Sequence, residues 1–263
     1  MFRAFHSECI KLFRPGVLLA AGLIAVFGLF VVVLTLLTAG SQSQHIPGGA
    51  SSLTTSQISA ADGFARVFGR GSTFMGVIAL GIAAMNVASE YSQGTLRELL
   101  IYQPRRTELL AGKLIALGIL IVAAVAVAYA AALLVAIALA PSQGVSTTEW
   151  FSSSGWTEIL SGYGDAVLAA LGWGVMGVVL GVFLRSPAPA LGAGVAWALP
   201  FEAFLSSAWE TGKEWLPGQA LQALASGGTD SIAYGRAAML VGVYVLVALA
   251  LAVGSFRTRD VTV

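Results

Sequence analysis

Six runs of apolar residues alternate along the chain with short polar segments, at about 16–38, 71–89, 112–139, 164–184, 188–208 and 237–256. A helix rises about 1.5 Å per residue, so about 20 apolar residues cross the roughly 30 Å hydrocarbon core of a bilayer. The pattern predicts an all-α integral membrane protein, one transmembrane domain over 1–263 with six spans. Ahead of the first run, Phe2, Phe5, Cys9, Leu12 and Phe13 repeat at helical spacing while Arg3, Glu8, Lys11 and Arg14 take the other face. That is the signature of an amphipathic helix lying along the interface. The first run is too long for the apolar core of a cleaved secretory signal and is read as an uncleaved span.

Basic residues orient the spans, because Lys and Arg are retained on the cytoplasmic side. With both termini inside, the inner segments carry Arg3, Lys11, Arg14, Arg97, Arg105, Arg106, Lys113, Arg185, Arg257 and Arg259, and the outer ones Arg66, Arg70, Lys213 and Arg236. Ten against four predicts cytoplasmic termini in a multi-pass protein of the plasma membrane. The first outer loop, about 39–70, is rich in Ser, Gly, Gln and Thr and reads as a flexible connector. In the second, Trp150, Phe151 and Trp156 suit the headgroup layer.

Composition agrees: 57% of residues are hydrophobic, 10% are charged, and mean hydropathy is +0.84. A net charge of +1 provides no field for a nucleic acid. One cysteine, Cys9, rules out an internal disulfide, and two histidines, His6 and His45, lie outside the spans and form no HExxH motif. Gly112-Lys113 is followed by Leu114 and lacks the upstream glycine of a phosphate-binding loop, so no nucleotide cofactor is expected on this chain. An ion-driven carrier keeps ionisable groups near the midplane. Here Asp165 and Arg185 fall at the ends of the fourth run and Glu202 is the lone candidate. Glu202 follows Pro200 and reads either as an interfacial residue reaching water or as part of a helix that breaks and turns back. Gly177 and Gly181 have the spacing that lets helices approach closely, here as packing within one subunit.

The segment SEYSQGTLRELLIYQPRRTELLAGK, 89–113, places seven charges between two apolar runs. Gly94 interrupts the helix, and Thr95-Leu96-Arg97-Glu98 is a capping-box pattern that starts a new one. Leu96, Leu99 and Leu100 share a face, and Pro104 ends the helix. Thr107 caps the next helix, with Lys113 near the inner headgroups. A short helix with a leucine face has two uses: packing on the membrane surface, or docking into a groove on a soluble partner.

The run E-Y-x-x-G-T-L-R at Glu90–Arg97, P-R-R at Pro104–Arg106, L-L-A-G-K at Leu109–Lys113 and S-E-x-x-K-L at Ser7–Leu12 resembles the permease subunits of type-2 ABC transporters. The motifs cover about a tenth of the chain and the topology all of it. The resemblance implies an ATP-driven exporter in which this subunit pairs with a second permease, identical or paralogous, and with two separate ATPase subunits that carry ATP and Mg. It implies a coupling helix from Glu90, Gly94, Thr95, Leu96, Leu99 and Leu100, with Pro104 at its end and Arg105 and Arg106 reaching ATPase carboxylates or anionic lipid. It also implies a path lined by the second and fifth spans, near Phe74, Met75, Asn86, Trp197 and Phe204. The alternatives are an accessory or immunity-type subunit that conducts nothing, and then an ion-driven carrier.

Overall fold

The computed structural model describes residues 11–12, 14–39, 53–95, 106–209 and 211–258. The described residues are helical, without strands. We number the helices α1 (Pro15–Leu37), α2 (Thr55–Ser59), α3 (Gly63–Gly69), α4 (Ser72–Ser92), α5 (Arg106–Leu139), α6 (Ser153–Leu184), α7 (Pro187–Ala196), α8 (Glu202–Ala208), α9 (Pro217–Ala225) and α10 (Tyr234–Thr258). Six helical segments are long and apolar enough to cross a membrane: α1, α4, α5, α6, the continuous stretch Pro187–Ala208, and α10. We call the end where α1 begins and α10 finishes basal, and the opposite end distal.

The bundle is organised around α4, the most enclosed of the six segments. Its closest partner is α6, which runs parallel to it, as the second and fourth spans of an alternating chain must. Gly76 lies under the ring of Trp173, Gly177 against the Leu80 carbonyl and Gly181 against the Ala84 carbonyl. Each step of four residues on α4 is matched by a step of four on α6, the ridge spacing of a helix surface. A Cβ on Gly177 would lie 2.2 Å from the Leu80 oxygen, so this close approach requires glycine there. The glycine pair thus packs within one subunit, as its sequence context indicates.

Three departures from the sequence reading concern the distal end. First, α6 starts at Ser153 rather than near 164, with the Ser152 hydroxyl accepting from the Gly155 N–H as its N-cap. Hydropathy misses this first stretch because it is polar; the helix projects beyond the apolar layer. Asp165, expected at the helix end, therefore lies well inside it and accepts from the Tyr234 hydroxyl at 2.8 Å. Second, the part of the first outer loop that is described, from Leu53 onward, is ordered: Thr54 and Gln57 form a capping box on α2, and Phe64, Val67 and Phe68 of α3 are buried. Third, Trp150 does not sit at a headgroup surface. It is buried and donates its indole N–H to the Ile58 carbonyl at 2.9 Å, while Phe151 and Trp156 remain exposed.

Trp150 stands against Phe64, which in turn packs on Tyr129, so one indole joins both distal loops to the bundle. Trp150→Ala is expected to cost about 3–5 kcal/mol, the range for removing a buried aromatic. Trp156→Ala should have little effect. Thermal unfolding of the two variants in detergent checks the contrast, and equal losses would remove Trp150 from this role.

The fifth segment does not break at Pro200 but runs on as one helical stretch with a local widening. Between α7 and α8, Trp197–Phe201 form a π-helical turn with Pro200 inside it. A proline removes one backbone donor and clashes with the preceding turn, and the wider turn accommodates it. The chain leaves α8 at Ala208, returns through a 3-10 turn at Lys213–Trp215, and enters α9 before reaching α10.

Candidate functional site

Charged residues at the two ends of the polar segment 89–113 meet at the basal end of the bundle. Asn86 and Glu90 are one turn apart on the last part of α4 and share a face. Lys113 lies two turns into α5, facing them. Its ammonium donates to Glu90 Oε1 at 2.9 Å and to Asn86 Oδ1 at 2.8 Å. Lys11, ahead of α1, donates to the same Glu90 oxygen at 2.7 Å. Glu90 is 6% exposed and Lys113 3%, so this is a buried ion pair with a second, partly solvated cation on its rim. Lys113 therefore does not reach the inner headgroups, where its place at the start of an apolar run puts it in the sequence reading. It is drawn inward because the pair on α4 provides two acceptors, and a buried ammonium needs them.

The geometry has a mechanical meaning. Glu90 and Lys113 flank the segment that leaves α4 and returns as α5, so their bond closes the base of that loop. The loop begins where the sequence reading places the break: Gly94 adopts φ +70°, a left-handed conformation suited to glycine, and the Thr95 hydroxyl turns back to the Glu90 carbonyl at 3.5 Å. Leu96, Leu99, Leu100, Pro104 and Arg105 lie outside the described residues, and Arg106 opens α5. The amphipathic preamble is likewise outside them up to Lys11 and Leu12; Leu12 is buried in the bundle.

A second set of contacts fixes the same end of α4. Arg185 caps α6 with φ +53°, and its guanidinium lies over the Tyr91 ring, 5.4 Å from the centroid. Tyr91 in turn meets Phe256 of α10 edge-on. The last turns of α4 are thus in contact with the preamble, α5, the α6–α7 corner and α10.

The five residues assigned to a path differ in burial. Phe74 is exposed and stacks on Phe27, and Trp197 and Phe204 are exposed on the fifth segment. Met75 is buried beside Gly28 and Gly71, and Asn86 is engaged by Lys113. Glu202 does not reach water at the surface: it is 2% exposed and its Oε1 accepts from the Gln219 N–H at 2.8 Å.

Sequence reasoning singled out Glu90 but not its partners Lys11 and Lys113. The signal available was the i, i+4 pair Asn86/Glu90 at the end of an apolar run, followed by a lysine at the start of the next. Among the described residues no cluster of His, Cys, Asp and Glu suits a metal ion.

The family model described as ABC-2 family transporter protein matches residues 4–192, which takes in the buried cluster and the first four segments and stops before the π-helical turn in the fifth. None of the curated proteins compared with the chain matches it. With well over half of its length inside that match, and six apolar helices to span the bilayer, the chain belongs to the ABC-2 transporter family and is a multi-pass membrane permease.

Proposed function

We propose that this permease is one of two membrane subunits of an ATP-driven exporter in the plasma membrane, and that separate ATPase subunits drive it through the segment 89–113. Glu90, Gly94 and Thr95 begin the coupling element. Leu96, Leu99 and Leu100 form its docking face, and Arg105 and Arg106 meet carboxylates on the ATPase or anionic lipid. ATP and Mg are held by two copies of that partner, and the second permease is identical or paralogous.

The observation that carries the reading is the buried Glu90–Lys113 bond at the base of the loop. A docking helix transmits force only if its root does not yield. Opening a buried ion pair costs about 3–5 kcal/mol, so α4 and α5 move together when the loop is pushed. ATP binding closes the ATPase pair, the two loops follow, and the α4 and fifth-segment elements of both permeases rearrange between two states. The basal end then faces the cytoplasm, as the distribution of basic residues requires.

The test is a mild-detergent pull-down of the tagged chain from its native host, with mass spectrometry of what accompanies it. A soluble ATPase is expected to co-purify and to be lost from Leu99→Asp, which places a charge on the docking face. No ATPase in complexes extracted in native-lipid discs would overturn the reading.

A further inference from the structure

At the α6–α7 corner the backbone holds a conformation that its residue does not favour. Two apolar segments, one ending at Leu184 and the other beginning at Pro187, are joined by Arg185 and Ser186 alone, so the corner lies at the level of the headgroups. Arg185 has φ +53° and is the one residue other than glycine with a positive φ among the described residues. A helix that ends in this left-handed turn ordinarily carries glycine there, because a Cβ makes the conformation costly. Such a cost persists where the side chain has a use, and here the side chain is a guanidinium.

That guanidinium is held but not satisfied. It lies over the Tyr91 ring, 5.4 Å from the centroid, which fixes the plane of its fork. Its Nε is buried without an acceptor, while its terminal nitrogens are not enclosed. Among the described residues no carboxylate pairs with it. Glu90, next to Tyr91 in the chain, is already taken up by Lys11 and Lys113. Phe183 and Leu184, the two residues before the arginine, are exposed. A planar fork of donors beside an apolar shelf, at headgroup depth, matches one class of ligand: a phosphate that carries acyl chains. A corner of two residues offers a soluble protein little to enclose, whereas a lipid phosphate already lies at its level.

We infer that Arg185, seated on Tyr91, binds the phosphate of an anionic phospholipid at the basal membrane boundary. The platform under the guanidinium belongs to α4, so the bound lipid joins the end of α6 to the end of α4. The site requires neither ATP nor the ATPase, and it stands whether or not the pull-down recovers one.

The full chain is purified in detergent and titrated with dioleoyl phosphatidylglycerol, and native mass spectrometry reads the affinity for the first bound lipid. Arg185→Gly should lower that affinity at least about tenfold, the effect of losing charge-assisted hydrogen bonds to the phosphate. Affinity for dioleoyl phosphatidylcholine, whose headgroup is neutral overall, should stay within about twofold. Arg185→Lys keeps the charge without the fork and should fall between parent and Arg185→Gly. Arg14→Gln removes an exposed cation at the start of α1 and should change the affinity by no more than about threefold. Thermal unfolding without added lipid is the second measurement: Arg185→Gly should melt no lower than the parent, because glycine adopts φ +53° without strain. Lower melting would make the arginine a structural cap and overturn the inference. An equal loss of affinity in Arg14→Gln would report diffuse surface charge and overturn it too. So would displacement of the lipid by excess inorganic phosphate, which would make the ligand a free anion. Loss of the ATPase from Arg185→Gly with phosphatidylglycerol affinity unchanged would assign the arginine to a protein partner instead.

Discussion

Glu90→Ala is expected to destabilise the folded chain by about 3–5 kcal/mol and to abolish association with the ATPase, because it removes the carboxylate that faces the buried Lys113 ammonium. Lys113→Ala should be comparable, since it leaves the carboxylate without its buried ammonium and with the partly solvated Lys11 on its rim. Lys11→Ala should cost only about 1 kcal/mol, because Glu90 keeps its buried partner and a rim cation contributes little. Removing both charges together, as Glu90→Leu with Lys113→Met, should be milder than either single change, as replacement of a buried pair by apolar groups often is. Thermal unfolding in detergent, with co-purification of the ATPase as the second readout, separates stability from docking. Strictly additive losses in the double variant would show that the two charges do not act as a pair.

The second large effect is expected at Gly177. An alanine there would place its Cβ 2.2 Å from the Leu80 carbonyl oxygen. No rotamer relieves a clash between a Cβ and a backbone, so α4 and α6 must separate along their whole parallel contact. Overpacking of this kind costs about 3 kcal/mol, at the upper end of its usual range. Gly164, on the same helix with open space around it, provides the control. Both changes gain about 1 kcal/mol of helix propensity, so Gly164→Ala should be neutral or slightly stabilising. Melting temperatures by fluorescence-detected size-exclusion decide it; similar curves for the two variants would mean that the α4–α6 approach is not limited at Gly177.

The two predictions bear on one element. α4 is clamped along its length by glycine contacts to α6, and at its basal end by Glu90 and Tyr91. In the proposed coupling α4 does not slide alone, and a push at the loop moves α4, α5 and α6 as a body against the fifth segment. Pro200 and its π-helical turn are then where the bundle yields.

Much of this architecture was legible without coordinates. Lipid offers no hydrogen bonds, so spans must be helical and apolar for about 20 residues, and the composition displays both properties directly. Gly94 and the Gly177/Gly181 pair act through their own covalent structure, and each does in the fold what its residue type suggests. What was not legible depended on partners distant in sequence. Lys113 reads as a headgroup lysine until α4 presents Asn86 and Glu90 to it, 27 and 23 residues away. Trp150 reads as an interfacial aromatic until Ile58, 92 residues earlier, offers a carbonyl. α9 has too few apolar residues to be counted as a span, and only the space left between α4, α6 and α10 makes it a buried helix.

The sequence by itself determined the solvent of this protein, the number of its spans, the helix break at Gly94 and the segment on which it resembles a transporter subunit, because each follows from local composition and backbone geometry. The tertiary structure alone decided which charges are buried and with whom: Glu90 with Lys113 at the root of the loop, Glu202 with the α9 N-terminus. Burying a charge is tolerated only where its partner is already positioned, and that position is a property of the packed bundle.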